Sequence, residues 1–515
     1  MNKKGFFALE SWLMFLTSMI GCNEMDNYSV SPNHLLSFST DTVSFDTVFT
    51  TIGSTTSYFM IYNKNDEALK IDKILLSSGG RSGFRINVDG RKGDSFGDVP
   101  IWKKDSLYVA VEVTVDPNNA DNPFVIYDSV VFITNGMTQS VLLEAYGQNA
   151  RIQRGGVMFR SDTTLDAVRP YLVYDSIIIS EGVTVEIEKG TSFYMHKNAR
   201  WIINGTVKAN GTQEEPVVFR GDRLSDFSTT ISYDNISAQW NGLFFGASSF
   251  DNYLNYAMIR NGISGLTFAE STPDRKKITI VNSQIMNMDG DVLSAVNCHI
   301  EASNTEFGNA SRYLVMLCGG KYQFTHCTMV NYMPSSLMSN RSSRFMECLT
   351  MADNIIYINE NGEDTERFFP LQQAYFDNCI IDGSMSVNNT GKYGGEIFFS
   401  TGNEYLDGDD SRFNYRFNHC LVKTQTVTNE RFREVLFEES PTYIKSKGTN
   451  AEDKLDFVYD FRLADESAGI GKADRAVSEK YPVDRLGTFR LTSETGPSIG
   501  AYEYVPQNTD EQDEK

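Results

Sequence analysis

Residues 278–331 read ITIVNSQIMNMDGDVLSAVNCHIEASNTEFGNASRYLVMLCGGKYQFTHCTMVN, and one short motif returns through them: Ser283-Gln284-Ile285, Thr305-Glu306-Phe307 and Cys327-Thr328-Met329. Working outward, the same order of a small residue and then a large apolar one two places on appears at Ala257-Met258-Ile259, Asn354-Ile355-Ile356, Cys379-Ile380-Ile381 and Cys420-Leu421-Val422. The intervals are 26, 22, 22, 27, 25 and 41 residues. A period of twenty-odd residues means one structural unit stacked on itself. Residues two apart share a face of a strand, so the small and large members of each copy point inward together. A helical repeat needs apolar residues three and four apart, which these segments lack.

A coil of roughly 22 residues accommodates three short strands and three turns, and stacking such coils buries one ladder of side chains along a common axis. The expected fold class is therefore all-β: a right-handed parallel β-helix, with the longer intervals taken up by loops inserted between strands. Asn261, Asn287, Asn309 and Asn331 each fall four residues after the small position. An Asn recurring at a strand end suits a turn in the left-handed region, with amides stacked as a ladder.

The ends of the chain are read differently. Lys3 and Lys4 precede the short apolar run Ser11–Gly21 (SWLMFLTSMIG), which has signal-peptide length and is too short to span a bilayer as a helix. The run ends at Met19-Ile20-Gly21-Cys22, which resembles a bacterial lipobox; lipidation of Cys22 is expected, and a buried cysteine after an ordinary signal is the alternative. Residues 1–21 are then the signal peptide and 22–35 a polar tether, while 506–515 (PQNTDEQDEK) form an acidic, disordered tail. Removing Lys3, Lys4 and Glu10 with the signal takes the formal charge from −21 to −22. A chain so acidic, without a local basic run, excludes nucleic acid as a partner and repels anionic glycans.

Between 36 and 150, alternating segments such as Leu107-Tyr108-Val109-Ala110-Val111-Glu112-Val113 predict several short strands and an immunoglobulin-like β-sandwich, whose first expected role is that of a spacer. Asp89, Asp94 and Asp98 in its Gly-rich segment DGRKGDSFGD offer oxygen ligands for calcium (Ca2+); a solvated turn accounts for them more simply, and no other cofactor is indicated. The β-helix is expected over 151–505.

The segments EKGTSFYMHKNARWIINGTVKANGTQEEPVVFRGDR, QWNGLFFGASSFDNYLNYAMIRNGISGL and FDNCIIDG, with the ending DFVYDFRLADESAGIG and GPSIGAYEYV, resemble the β-helix-repeat surface lipoproteins of Bacteroidota that carry an N-terminal Ig-like module. That resemblance implies an outer-membrane lipoprotein held through its lipid anchor, exposed at the surface, with the periplasmic face as the alternative. Glu24 and Asp26 directly after Cys22 resemble the surface-export signal of such proteins. In the family the final segments close the last coils.

Six cysteines follow Cys22, and Cys327, Cys379 and Cys420 occupy the inward small position, which favours packed thiols over disulfides. His326-Cys327 and His419-Cys420 resemble metal ligands on paper, but adjacent strand residues face opposite sides, so no metal site is expected there.

A parallel β-helix also invites a search for a polysaccharide lyase or glycoside hydrolase, whose groups come from outward positions on successive coils. One outward column reads Met258, Gln284, Glu306, Thr328, Ile380, Leu421, and the next Arg260, Met286, Gly308, Val330. They hold one acid and one base on different coils, and their apolar tone predicts cover by a loop or partner. Asp407, Asp409 and Asp410 (DGDD) are the remaining catalytic candidates; they resemble paired aspartates of polygalacturonase-type hydrolases, yet no His in the chain is flanked by Gly as that family's motif requires, and a solvated turn explains them. The expected role is non-catalytic binding of a polysaccharide or envelope protein, with Phe368, Phe369, Tyr375 and Tyr393 available to stack on sugar rings. Two alternatives stand beside it: a lyase or hydrolase on an unaligned sheet, and a structural or adhesive surface protein.

Overall fold

The structure is a computed structural model; it describes residues 27–506 except 119–120, 122, 225, 229–230, 335–336, 338–343, 345, 359–361, 388–393, 402–411, 438, 447–448, 452–453, 457 and 493–494. The chain forms two compact units that meet in sequence at Asn149 and Ala150.

The first unit is an Ig-like β-sandwich of two five-stranded sheets. One sheet orders its strands Ser37–Phe38, Ser57–Tyr62, Ser106–Val113, Phe84–Val88 and Arg91–Gly93. The other runs Thr42–Phe49, Met137–Gln148, Phe124–Thr134, Leu69–Leu76 and Ser95–Ile101, antiparallel except where the first of these pairs in parallel with the second. Strict alternation turns Phe59, Ile61, Val109 and Val111 of one sheet against Phe132, Val130 and Leu143 of the other, with the Phe59 and Phe132 rings edge to face at 6.2 Å. Asp89 and Gly90 supply the two positive-φ residues of the tight hairpin between Val88 and Arg91. Asp94 leads from that hairpin into the other sheet, where Asp98 pairs with Lys70 at 2.9 Å. The three aspartates therefore sit on separate elements, and the described residues contain no group of three or more metal-ligating side chains.

The second unit is a right-handed parallel β-helix. Its three sheets hold 11, 9 and 10 strands, every neighbouring pair parallel, and the coils visit them in the same order until the last, which passes from Leu421–Val422 of sheet one to Phe432–Arg433 of sheet three without a strand in sheet two among the described residues. Sheet one contains the motif copies: Met258 is in register with Gln284, Gln284 with Glu306, Glu306 with Thr328, Thr328 with Ile380 and Ile380 with Leu421. The small residues Ala257, Ser283, Thr305, Cys327, Cys379 and Cys420 are all fully buried. Rings stack along the axis: Phe324 on Phe376 at 5.2 Å, Phe376 on Phe417 at 4.8 Å and Phe417 on Phe432 at 4.9 Å, the spacing of adjacent strands. Cys298, Cys318, Cys327, Cys348, Cys379 and Cys420 are buried free thiols.

Three expectations need correction. Asn354-Ile355-Ile356 is not a copy of the motif: Asn354–Ile358 pairs antiparallel with Asp364–Phe368 in a hairpin outside the coil, and Ile356 and Ile358 are exposed. The triplet has the right local composition, but the coil's own strands are Leu371–Asp377 and Ile380–Gly383. Second, Asn261, Asn287 and Asn309 do adopt positive φ, whereas Asn331 does not, and their amides bond to neighbouring main chain rather than to one another: Asn261 Nδ2 donates to Asp234 O at 2.7 Å and Asn331 Nδ2 to Ala310 O at 2.9 Å. The true ladder lies at the other end of the strand, one residue before the small position. There Tyr256, Asn282, Asn304, His326, Asn378 and His419 all take φ between 45° and 55°, and Asn304 donates to Asn282 and Asn282 to Asn255, each at 3.2 Å. His326 and His419 are corner residues of this single-residue turn, which is what separates them from the cysteines that follow. Third, the last parallel rung is Leu436–Phe437. The segment expected to close the final coils instead lies over the outward face of sheet one, where Tyr443, Phe461, Leu463 and Ile499 cover Val330, Ile380 and Leu421. The apolar column thus has its cover within the chain.

Candidate functional site

The outward faces of the helix differ in what they offer. Sheet one is covered over its later coils: Glu306, its one acid in the column read from sequence, accepts from Gln284 Nε2 at 2.9 Å and from the Tyr502 hydroxyl. Arg260 lies 3.5 Å from Asp234 of an inserted turn. One outward column of sheet two, in register from Ile178 through Phe244, Thr267 and Met316 to Phe398, contains no ionisable group, and the adjoining column carries the exposed Arg200. Sheet three is polar, but its charges pair across coils: Lys276 with Glu301 at 2.5 Å, and Arg416 with Asp377 at 2.9 Å.

Carboxyl groups with raised pKa gather elsewhere, at the corner where each coil passes from sheet one to sheet two. Leu293, Val315 and Leu349 are register partners opening sheet two on three successive coils. Asp291, Tyr313 and Glu347 each stand two residues before them, so they stack in that order at strand spacing. Burial pushes the Asp291 carboxyl up, against Arg312, whose Nε lies 3.4 Å from Oδ1, and against the Tyr313 amide. Burial also raises Glu347, with Glu396 adding to the rise and Arg344 opposing it. Tyr313 is raised by its burial and then by Glu347 and Asp291, while Arg312 lowers it. Two carboxyls biased toward their protonated, donating form therefore flank a phenol, with a half-exposed guanidinium beside them.

Behind this ladder lies a fully buried polar layer. Glu396 is held by Arg344, by the Met385 amide at 2.8 Å and by the Cys348 amide at 3.2 Å. Asp382 continues the column of Val330 and receives the hydroxyls of Tyr332 at 2.8 Å and Tyr443 at 3.1 Å, with Lys423 Nζ at 4.0 Å. Its carboxyl is raised by burial first, with Tyr332 and Lys423 opposing. Asp382 and Glu396 have no exposed surface, so they fix the corner rather than meet a ligand.

Chemically, the corner supplies hydrogen-bond donors and acceptors at successive rungs. A hydrolytic pair would need environments that push two carboxyls apart in pKa and room between them for the scissile bond. Here both are raised, and Tyr313 stands between them.

The residues singled out from sequence do not converge here. Cys22, Asp407, Asp409, Asp410 and Tyr393 lie outside the described residues. Phe368 is on the outer hairpin, Phe369 is buried against Cys318 and Ala352, and one face of Tyr375 is taken by Arg416 at 4.2 Å. The corner was missed because only half its signal is periodic: Asp291 to Tyr313 is one 22-residue coil, but the insertion after Tyr332 displaces Glu347.

No known family model matches the chain, and no curated protein sequence matches it. Among solved structures, the catalytic unit of a GH87 alpha-1,3-glucanase from Streptomyces thermodiastaticus is 10% identical over 74% of this chain and 81% of its own, at a TM-score of 0.24. A GH87 alpha-1,3-glucanase catalytic domain in complex with nigerose is 10% identical over 75% and 87%, at 0.18. The ASH/PapD-like domain of human CEP192 is 12% identical over 22% of this chain and 85% of its own, at 0.16. At such scores the likenesses carry no argument about this chain, and its fold rests on the strand order given above.

Proposed function

We propose that this chain is a lipid-anchored cell-envelope protein that binds a glycan without cleaving it, at the corner of its β-helix. The observation that carries the reading is the rung-by-rung ladder Asp291–Tyr313–Glu347 with Arg312 beside it, an array of donors and acceptors suited to hydroxyl groups repeating along a chain. Cys22 is the proposed point of lipidation, and outer-membrane anchorage rests on the resemblance to β-helix-repeat surface lipoproteins of Bacteroidota, with the periplasmic face as the alternative. The formal charge of −22 on the chain from Cys22 onward (−21 less the +1 of Lys3, Lys4 and Glu10) favours neutral glycans over anionic ones. Affinity electrophoresis of the chain through gels containing neutral polysaccharides tests this, alongside an assay for new reducing ends and for unsaturated products. Retardation without product is expected; depolymerisation overturns the non-catalytic reading, and absence of any retardation overturns glycan binding.

Glycoside hydrolysis is the second reading, and it rests only on two carboxyls, Asp291 and Glu347, standing two coils (about 10 Å) apart at one corner; their shared upward shift and the intervening Tyr313 count against it. Reducing ends that vanish in both Asp291→Asn and Glu347→Gln would establish it.

A further inference from the structure

The sandwich, read from sequence as a spacer, bears a concavity of about 860 Å³ on the outer face of its Ser57–Tyr62, Ser106–Val113, Phe84–Val88 and Arg91–Gly93 sheet. We infer that this concavity is a second saccharide-binding site, specific for a neutral sugar, separate from the corner of the β-helix.

Register builds it. Tyr58, Ala110, Asn87 and Lys92 are direct partners in one row across four strands, and Glu112 pairs with Arg85 in the adjoining row. Ala110 is the floor, because its methyl is the smallest side chain in the row and leaves the depression open. Tyr58 and Tyr108 form one wall: both are exposed, 64% and 37%, with ring centroids 6.4 Å apart and tilted by 60°. Two large apolar rings left in water on a sheet face offer a platform for a flat apolar surface. The opposite wall carries Lys92 and Asp94.

Three features define the occupant. Arg85 and Lys92 balance Asp94 and Glu112, so the lining has no net charge to recruit an ion. Two of the four are already engaged: Glu112 accepts from Thr56 Oγ1 at 2.8 Å, and Arg85 donates to Thr114 Oγ1 at 2.7 Å. Asn87 Oδ1 is buried and accepts no hydrogen bond, so this lining residue keeps an acceptor that the sandwich itself does not satisfy. A neutral molecule with an apolar face and outward hydroxyls answers all three, and a pyranose ring has that form. The volume lies within the range of a small-ligand site.

The experiment measures retardation of the whole chain and of two sets of variants in gels containing xylan, galactomannan, mixed-linkage β-glucan or glycogen, with polygalacturonate and heparin as charged controls. One set is Tyr58→Ala/Tyr108→Ala and Ala110→Phe; the other is Asp291→Ala/Glu347→Ala at the corner. Circular dichroism and thermal midpoint verify folding, and Asn87→Ala supplies a milder change should Ala110→Phe unfold the sandwich. The expected result is a loss of about tenfold or more in affinity for at least one neutral polysaccharide in the tyrosine variant, with charged polymers unaffected. A tyrosine variant that keeps every neutral affinity of the parent overturns the proposal, as does a parent that binds no neutral polysaccharide. If only the corner variants lose binding, the sandwich site fails and the corner stands; if only the sandwich variants lose it, the reverse holds. A change of oligomeric state on sedimentation of the tyrosine variant would assign the concavity to a second copy and also overturn the proposal.

Discussion

The hydroxyl of Tyr502 donates to the carboxylate of Glu306 across 196 residues of sequence, and both groups are buried. This bond fastens the C-terminal cover to the middle of sheet one, next to the Ala501 amide, which donates to Thr328 Oγ1 at 2.9 Å. Without the phenol, Glu306 keeps the Gln284 amide but loses the donor to its second oxygen while remaining in low dielectric. Tyr502→Phe should therefore destabilise the β-helix by about 1.5–3 kcal/mol, the usual range for a hydrogen bond to a charged group. Urea denaturation of the two proteins checks this. An unchanged midpoint would mean that the cover is held by its apolar contacts alone.

A pH dependence follows from His326. Its Nε2 lies 3.0 Å from both Ser478 Oγ and Asn378 Nδ2, and burial, with Arg490 nearby, holds its pKa well below the ordinary value. The folded chain thus keeps this imidazole neutral while the unfolded chain protonates it near pH 6.5. The unfolded state then binds more protons, so stability is present above about pH 6.5 and falls as pH drops below it. His326→Asn restores the residue used at the same corner by Asn304 and Asn378. The loss of stability between pH 7.5 and pH 5 should be smaller in this variant. Equal losses in both proteins would show that other groups govern the acid limb.

What sequence could disclose here follows from locality. The register of sheet one was legible because Ala257, Ser283, Thr305, Cys327, Cys379 and Cys420 mark the same inward position, and period-two alternation leaves one arrangement for them. Asn354 was misread because a triplet contains no information about whether its strand joins a coil or a hairpin. The cover was read as coil because its apolar residues bury against another face of the same solenoid, a long-range pairing that leaves no period. The corner site was illegible for a related reason: Arg344 and Glu396 reach it from the two sides of separate insertions, so no spacing connects them.

Cys379 tests the inward ladder. It stacks between Cys327 and Cys420, its amide lies 3.4 Å from Cys420 Sγ, and burial drives its thiol well up, with the neighbouring thiols adding to this. An alkylating reagent should leave this residue unmodified until the chain unfolds, and the same holds for Cys298, whose burial raises its thiol to about 12. Cys379→Ala places at this rung the residue already found at Ala257 and should cost about 1 kcal/mol, whereas Cys379→Leu overpacks the column and should cost about 1–3 kcal/mol. Thermal midpoints give the order; a Leu variant as stable as the Ala variant would mean the ladder has slack.

The corner makes its own prediction about protonation. Asp291 and Glu347 both have carboxyls raised chiefly by burial, which favours the neutral form that can donate as well as accept. If the glycan is held by those donors, affinity is greatest at acid pH and declines as pH rises through the raised pKa of each group. Asp291→Asn and Glu347→Gln keep a donor and an acceptor at all pH values, so each should flatten the pH profile while retaining affinity within about threefold, the scale of a single exchanged neutral hydrogen bond. Asp291→Ala, which removes both, should lose about tenfold at pH 5. Isothermal titration with a bound oligosaccharide between pH 4.5 and 7.5 measures all three. Affinity that rises with pH in the parent, or amide variants as weak as the alanine variant, would show that the ionised carboxylates are the binding form and would return the pair to consideration as an acid and a base.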